Sequence, residues 1–96
     1  MAYKIIYLPI AAQDLQDIAA YLSRFYKNTL PNFISELERS ISNLTVMPNM
    51  GVEYKHFRSI AVSDYLIFYM VDDSTRTVRI YRILHGTRDI RDKLNS

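Results

Sequence analysis

Five arginines and a histidine stand out as the side chains able to do chemistry: Arg58, Arg79, Arg82, His85, Arg88 and Arg91. All but Arg58 belong to the stretch from Tyr65 to Asp92, in which Thr77-Val78-Arg79-Ile80-Tyr81-Arg82-Ile83-Leu84 empties into His85-Gly86-Thr87-Arg88-Asp89. A histidine among arginines can donate or accept a proton beside groups that hold a phosphodiester. The same guanidinium groups can bind phosphate, or the carboxylates of a protein partner. The plainer alternative is a polar strand end in which His85 hydrogen-bonds backbone and Arg82 pairs with Asp89 or Asp92. Taken one at a time the residues fit that alternative. Gathered at one end of a small sheet, they point to a binding surface.

Other chemistries find little support. His56 and His85 lie far apart with no cysteine to assist, so no metal site is expected. No Gly-x-Ser-x-Gly turn or glycine-rich phosphate loop occurs, since Gly51 and Gly86 are the only glycines. No cofactor is expected. Asp14 and Asp17 fall near the start of a helical segment, where carboxylates complement the helix dipole. The tyrosines can stack bases, but Tyr3, Tyr7, Tyr65, Tyr69 and Tyr81 fall on predicted strands, where half-buried packing is the commoner duty.

The elements that would position these groups can be read from periodicity. Residues 3–8 are β-branched and aromatic and predict a strand bounded by Pro9. Pro9 then opens a helix over Ile10–Tyr26, with Leu15, Ile18, Leu22 and Phe25 as its apolar stripe. A second helix begins near Pro31, capped by Asn28 or Thr29, and ends before Pro48. Its stripe is Leu30, Phe33 or Ile34, Leu37, Ile41 and Leu44. Asn49–Lys55 reads as a loop and Phe57–Val62 as a strand. Tyr65–Val71, apolar at every position, predicts a strand buried on both faces or lying mid-sheet. The polar turn Asp72–Arg76 leads to the last strand, where strict alternation puts Arg82 on the face of Val78, Ile80 and Leu84. A buried arginine there requires a partner or a place at the rim. Asp89–Leu94 has room for a short C-terminal helix capped by Thr87. The result is α+β: an N-terminal strand, an αα-hairpin, then a three-stranded antiparallel meander packed on the helices.

Composition sets the bounds. Ninety-six residues, 49% hydrophobic, allow a single domain over 1–96 with one core. The formal charge is +2, split as −1 over residues 1–53 and +3 over residues 54–96. The absence of cysteine suits a reducing, cytoplasmic setting, and no apolar run approaches the roughly 20 residues that span a bilayer.

The pattern Pro9-x-Ala11-x-x-Asp14-Leu15-x-x-Ile18-x-x-Tyr21, then Pro48-x-x-Gly51, Arg58, Tyr65-Leu66-Ile67-Phe68-Tyr69 and Ile80-x-Arg82-Ile83-Leu84-His85-Gly86-x-Arg88-Asp89 resembles the ParE/RelE toxin superfamily of bacterial type II toxin–antitoxin systems. The terminal run is most similar to the ParE branch. The resemblance implies a helical hairpin on a small antiparallel sheet. It also implies a toxin that binds DNA gyrase without ribonuclease chemistry, and plasmid stabilisation as a setting. The alternative is a RelE-like, ribosome-dependent mRNA endoribonuclease, whose catalytic groups would be Arg58, His85 and Arg88. Against it, Leu66 occupies the position of an expected central-strand arginine, and residues 90–96 lack the expected late tyrosine. A site so stripped of cations stabilises a phosphorane poorly. A third alternative is a non-toxic binding module in operon autoregulation.

The gyrase and ribonuclease readings both imply a cognate antitoxin, ParD-like or a similar small protein, and operator DNA reached only through the antitoxin complex. Such an antitoxin would lie over an apolar groove, for which Phe25, Tyr26 and Phe33 are the candidates. The arginines and His85 would face the target.

Overall fold

The computed structural model describes residues 2–86. Strand β1 (Lys4–Tyr7) is followed by helices α1 (Pro9–Leu22) and α2 (Thr29–Val46), then by β2 (Val52–Tyr54), β3 (Phe57–Val62), β4 (Tyr65–Asp72) and β5 (Thr77–His85). The strands form one sheet in the order β1-β5-β4-β3-β2. β2 to β5 make an antiparallel meander, and β1 pairs parallel with β5, Lys4 opposite Thr77 and Tyr7 opposite Ile80. The α+β architecture therefore agrees with the pattern of elements read from the sequence.

The uniformly apolar β4 lies at the centre of the sheet, as its composition requires. Ile67 and Tyr69 are fully buried beneath the helices, together with Ala11, Ile18, Phe33, Leu37, Leu44, Val62, Val78, Ile80 and Ile83. The α2 stripe thus runs where its three- and four-residue spacing puts it.

Four details differ from the sequence reading. α1 ends at Leu22 rather than Tyr26, with Ser23 closing it through its hydroxyl to the Ala20 carbonyl at 2.8 Å. α2 starts at Thr29, and Asn28 stands at its cap without a side-chain hydrogen bond. The expected loop 49–55 contains a short 3-10 turn, Pro48–Met50, and the edge strand β2, which extends the meander to four strands. Finally, β5 carries a bulge. Phe68 is opposite Arg82 and Tyr69 opposite Ile80, which leaves Tyr81 unmatched. One extra residue reverses the alternation beyond it. Ile83 therefore joins Val78 and Ile80 on the core face, while Arg82 and Leu84 turn to the other. The expected C-terminal helix at 89–94, and its cap Thr87, lie outside the described residues.

Close backbone approach fixes the β2 corner. The Gly51 N–H donates to the buried Tyr69 hydroxyl at 2.9 Å, and Arg58 donates to the Gly51 carbonyl at 3.0 Å. A Cβ at Gly51 would meet that hydroxyl at 2.5 Å and the Ser59 carbonyl at 2.8 Å, so only glycine fits without displacement.

Candidate functional site

Where β1 gives way to α1, the edge of β5 beyond Ile80 loses its strand neighbour. Asp14, in the second turn of α1, takes over that edge. Its carboxylate accepts from the Ile83 backbone N–H at 3.0 Å and from Arg82 at both Nε (2.8 Å) and a terminal nitrogen (2.9 Å). The Arg82 and Asp14 side chains are only 10% and 11% exposed. The pairing is bidentate, and each carboxylate oxygen is engaged, the arrangement that best offsets the desolvation of two charges.

Two expectations are thereby corrected. Arg82 meets Asp14, sixty-eight positions earlier in the chain, and is buried rather than presented to a partner. Asp14 serves the sheet edge rather than the helix dipole, since no acidic residue falls in the first turn of α1. Asp17 accepts from Gln13 one turn away.

The remaining cations are dispersed. Arg79 pairs with Asp72 at 3.2 Å, near the opposite end of β5 from His85. Six positions along the strand separate the two, roughly 20 Å. Asp72 also accepts from the Ser74 hydroxyl and from the Ser74 and Thr75 amides. The Ser74 hydroxyl, together with Arg79 and the Thr75 amide, pulls its carboxyl down to about 2. Arg58 lies opposite Tyr69 on β3, bound to Gly51 and reaching Glu53 at 3.5 Å. Arg88 and Arg91 lie outside the described residues. The structure does not bring Arg58, Arg79, Arg82 and His85 to one point. Among the described residues no group of three His, Asp or Glu side chains could hold a metal ion.

His85 instead ends a chain of rings. Phe33 meets Tyr65 edge-on at 5.3 Å, and Tyr65 meets His85 edge-on at 5.5 Å. Beyond His85, the Gly86 N–H donates to the Asp64 carbonyl at 2.9 Å and ties the strand end to the β3–β4 turn. Ser63 in that turn has a φ of 55°, in the left-handed region that tight turns use.

This strand end forms one wall of an open groove of about 670 Å³, and the junction of α1 and α2 forms the other. Tyr21, Phe25, Glu36 and Asp64 line it, with Phe33 and Tyr65 behind them. Tyr21 and Phe25 stack edge to face at 5.0 Å yet remain 41% and 51% exposed. Tyr26, beside them, is 88% exposed. Of the three groove candidates read from the sequence, Phe25 and Phe33 line it, Phe33 as a core side chain at 4% exposure whose edge forms the floor, and Tyr26 is not among the lining residues. Glu36 and Asp64 escaped the sequence reading, because isolated carboxylates on a helix and a turn carry no pattern. No helix among the described residues is long and apolar enough to cross a membrane.

Comparison with known proteins gives a consistent assignment. Residues 5–90 match the family model described as the ParE toxin of the type II toxin–antitoxin system parDE. No curated protein matches. Among solved structures, the chromosomal ParDE system from P. aeruginosa aligns at TM-score 0.71 and 15% identity, covering 88% of this chain and 96% of that one. The isolated RelE toxin of E. coli aligns at 0.62 and 13%, covering 98% and 96%. The toxin–antitoxin complex RelBE2 from Mycobacterium tuberculosis aligns at 0.60 and 20%, covering 88% and 99%. Identities this low establish a shared fold.

Proposed function

The chain belongs to the ParE toxin family of type II toxin–antitoxin systems, and from that membership we propose that it halts growth by binding DNA gyrase and is neutralised by a small cognate antitoxin. The observation that carries the gyrase reading is the dispersal of the cations. Cleavage of a phosphodiester needs several positive groups converging on one phosphate to stabilise the charge that develops there. Here Arg82 is engaged by Asp14, Arg79 by Asp72 and Arg58 by Gly51 and Glu53. Central-strand position 66 is leucine. A toxin that acts by binding requires no such convergence. In this reading the end of β5 at His85 and Gly86, which Arg88 and Arg91 follow in sequence, is assigned to the target, and the Asp14–Arg82 pair holds that strand end in place.

The groove is the seat we assign to the antitoxin. Phe25 and Tyr26 expose more apolar surface than an isolated domain needs, beside a concave surface large enough for a helix side. Operator DNA is then reached through the antitoxin complex.

Induction of the protein without its antitoxin is expected to stop growth. Purified protein is expected to inhibit supercoiling by gyrase and to leave ribosome-bound mRNA intact. Ribosome-dependent cleavage with unaffected supercoiling would replace this reading with the endoribonuclease. Unaffected growth would favour the binding module in autoregulation.

A further inference from the structure

The groove has a charge of its own. The chain as a whole is +2, but the described side chains lining this groove include Glu36 and Asp64 and neither lysine nor arginine. Neither carboxylate has a hydrogen-bond or ion-pair partner among the described residues. Four aromatic rings, Tyr21, Phe25, Phe33 and Tyr65, share the wall with His85 and the polar side chains of Thr29, Asn32 and Ser63. Ring faces carry negative quadrupole potential, and a guanidinium or ammonium over them is attracted by it, more so beside a carboxylate. Phosphate and carboxylate groups meet potential of their own sign there and are repelled. The groove's chemistry thus differs from that of the arginine-bearing strand, and it fits neither nucleic acid nor an acidic peptide.

Resting on the antitoxin reading of this groove, we infer that its occupant is an amphipathic antitoxin segment that inserts an arginine or lysine beside Glu36 and Asp64. The apolar side of that segment covers Tyr21 and Phe25, and its cation supplies a counter-charge to the two carboxylates. Arginine fits better than lysine, because its planar fork matches a carboxylate and its flat face stacks on a ring.

The test is the affinity of the purified antitoxin for toxin variants, measured by calorimetry at two salt concentrations. Glu36→Lys and Asp64→Lys are each expected to weaken binding about tenfold, and together about a hundredfold. The parent complex is expected to weaken as salt rises, and the double variant to lose that dependence. Glu38→Lys, on an exposed position of α2 outside the groove, is the control and should stay within about twofold of the parent. Thermal melting verifies that each variant folds. Where a reversal does not, Glu36→Gln and Asp64→Asn carry the test, with a smaller loss in the same direction.

If the double reversal binds like the parent while Phe25→Ala binds weakly, the antitoxin's seat stands and the cationic occupant is refuted. If neither change matters, the seat itself is refuted. A concentration-dependent dimer of the toxin alone that Glu36→Lys abolishes would identify a second copy as occupant and overturn the inference.

Discussion

At the scale of single residues, the Asp14–Arg82 pair shows how a buried charge is tolerated. Its worth lies less in attraction than in the cost of leaving either member alone. Arg82→Ala or Asp14→Ala is expected to destabilise the protein by about 3–5 kcal/mol, measured by urea unfolding. The double replacement Asp14→Leu with Arg82→Met is expected to recover part of that loss, because no unpaired charge remains although the Ile83 N–H loses its acceptor. Phenylalanines divide in the same way by environment. Phe33→Ala is expected to cost about 3–5 kcal/mol by the same measurement, as a core ring does. Phe25→Ala should alter stability by no more than about 0.5 kcal/mol and reveal itself only in antitoxin binding. A charged replacement at Phe33 therefore tests folding, not recognition.

At the scale of elements, the β4–β5 turn is organised by one carboxylate. Asp72 holds the Ser74 hydroxyl, two turn amides and Arg79, and its carboxyl titrates near 2 instead of the ordinary 3.8. A depressed carboxylate contributes stability that is fully present above its unfolded value and is lost as pH falls through its folded one. The turn's contribution should therefore disappear between about pH 4 and pH 2. Denaturation midpoints followed over that window are expected to fall more steeply for the parent than for Asp72→Asn.

Element boundaries also mark how far the sequence could be read. Long periodic segments such as α2 and the uniform run of β4 announce themselves, because burial imposes its period on many consecutive residues. β2 was missed because three residues, Val52–Tyr54, are too few to display a period. The β5 bulge was missed because alternation inferred from residue types assumes an unbroken register, and Tyr81 is the residue that breaks it. Arg82's need of a partner was legible from its place in an apolar strand. The identity of that partner was not, since Asp14 and Arg82 meet only once the sheet has assembled.

At the scale of the molecule, the strand order makes β5 the keystone of the sheet. It lies between β1 and β4, and among the described residues no other strand joins those two. Removing it leaves β1 unpaired and exposes the edge of the apolar β4. A chain terminated after Arg76 is therefore expected to lack a cooperative thermal transition by circular dichroism and to aggregate. The groove, too, was only half legible at this scale. Phe25 and Tyr26 drew attention as surplus apolar residues, whereas Glu36 and Asp64 acquired meaning only when tertiary structure put them beside those rings.

The place of β5 has a temporal consequence as well. Synthesis delivers β1 first, and its partner residues 77–80 follow some seventy positions later. At about 5–20 residues per second, that is a delay of roughly 4–15 s. Throughout it the nascent chain has its helices but no closed sheet, no Asp14–Arg82 pair and no His85 strand end. The toxin's fold closes only once β5 has been synthesised, which gives a co-expressed antitoxin time to be waiting for it.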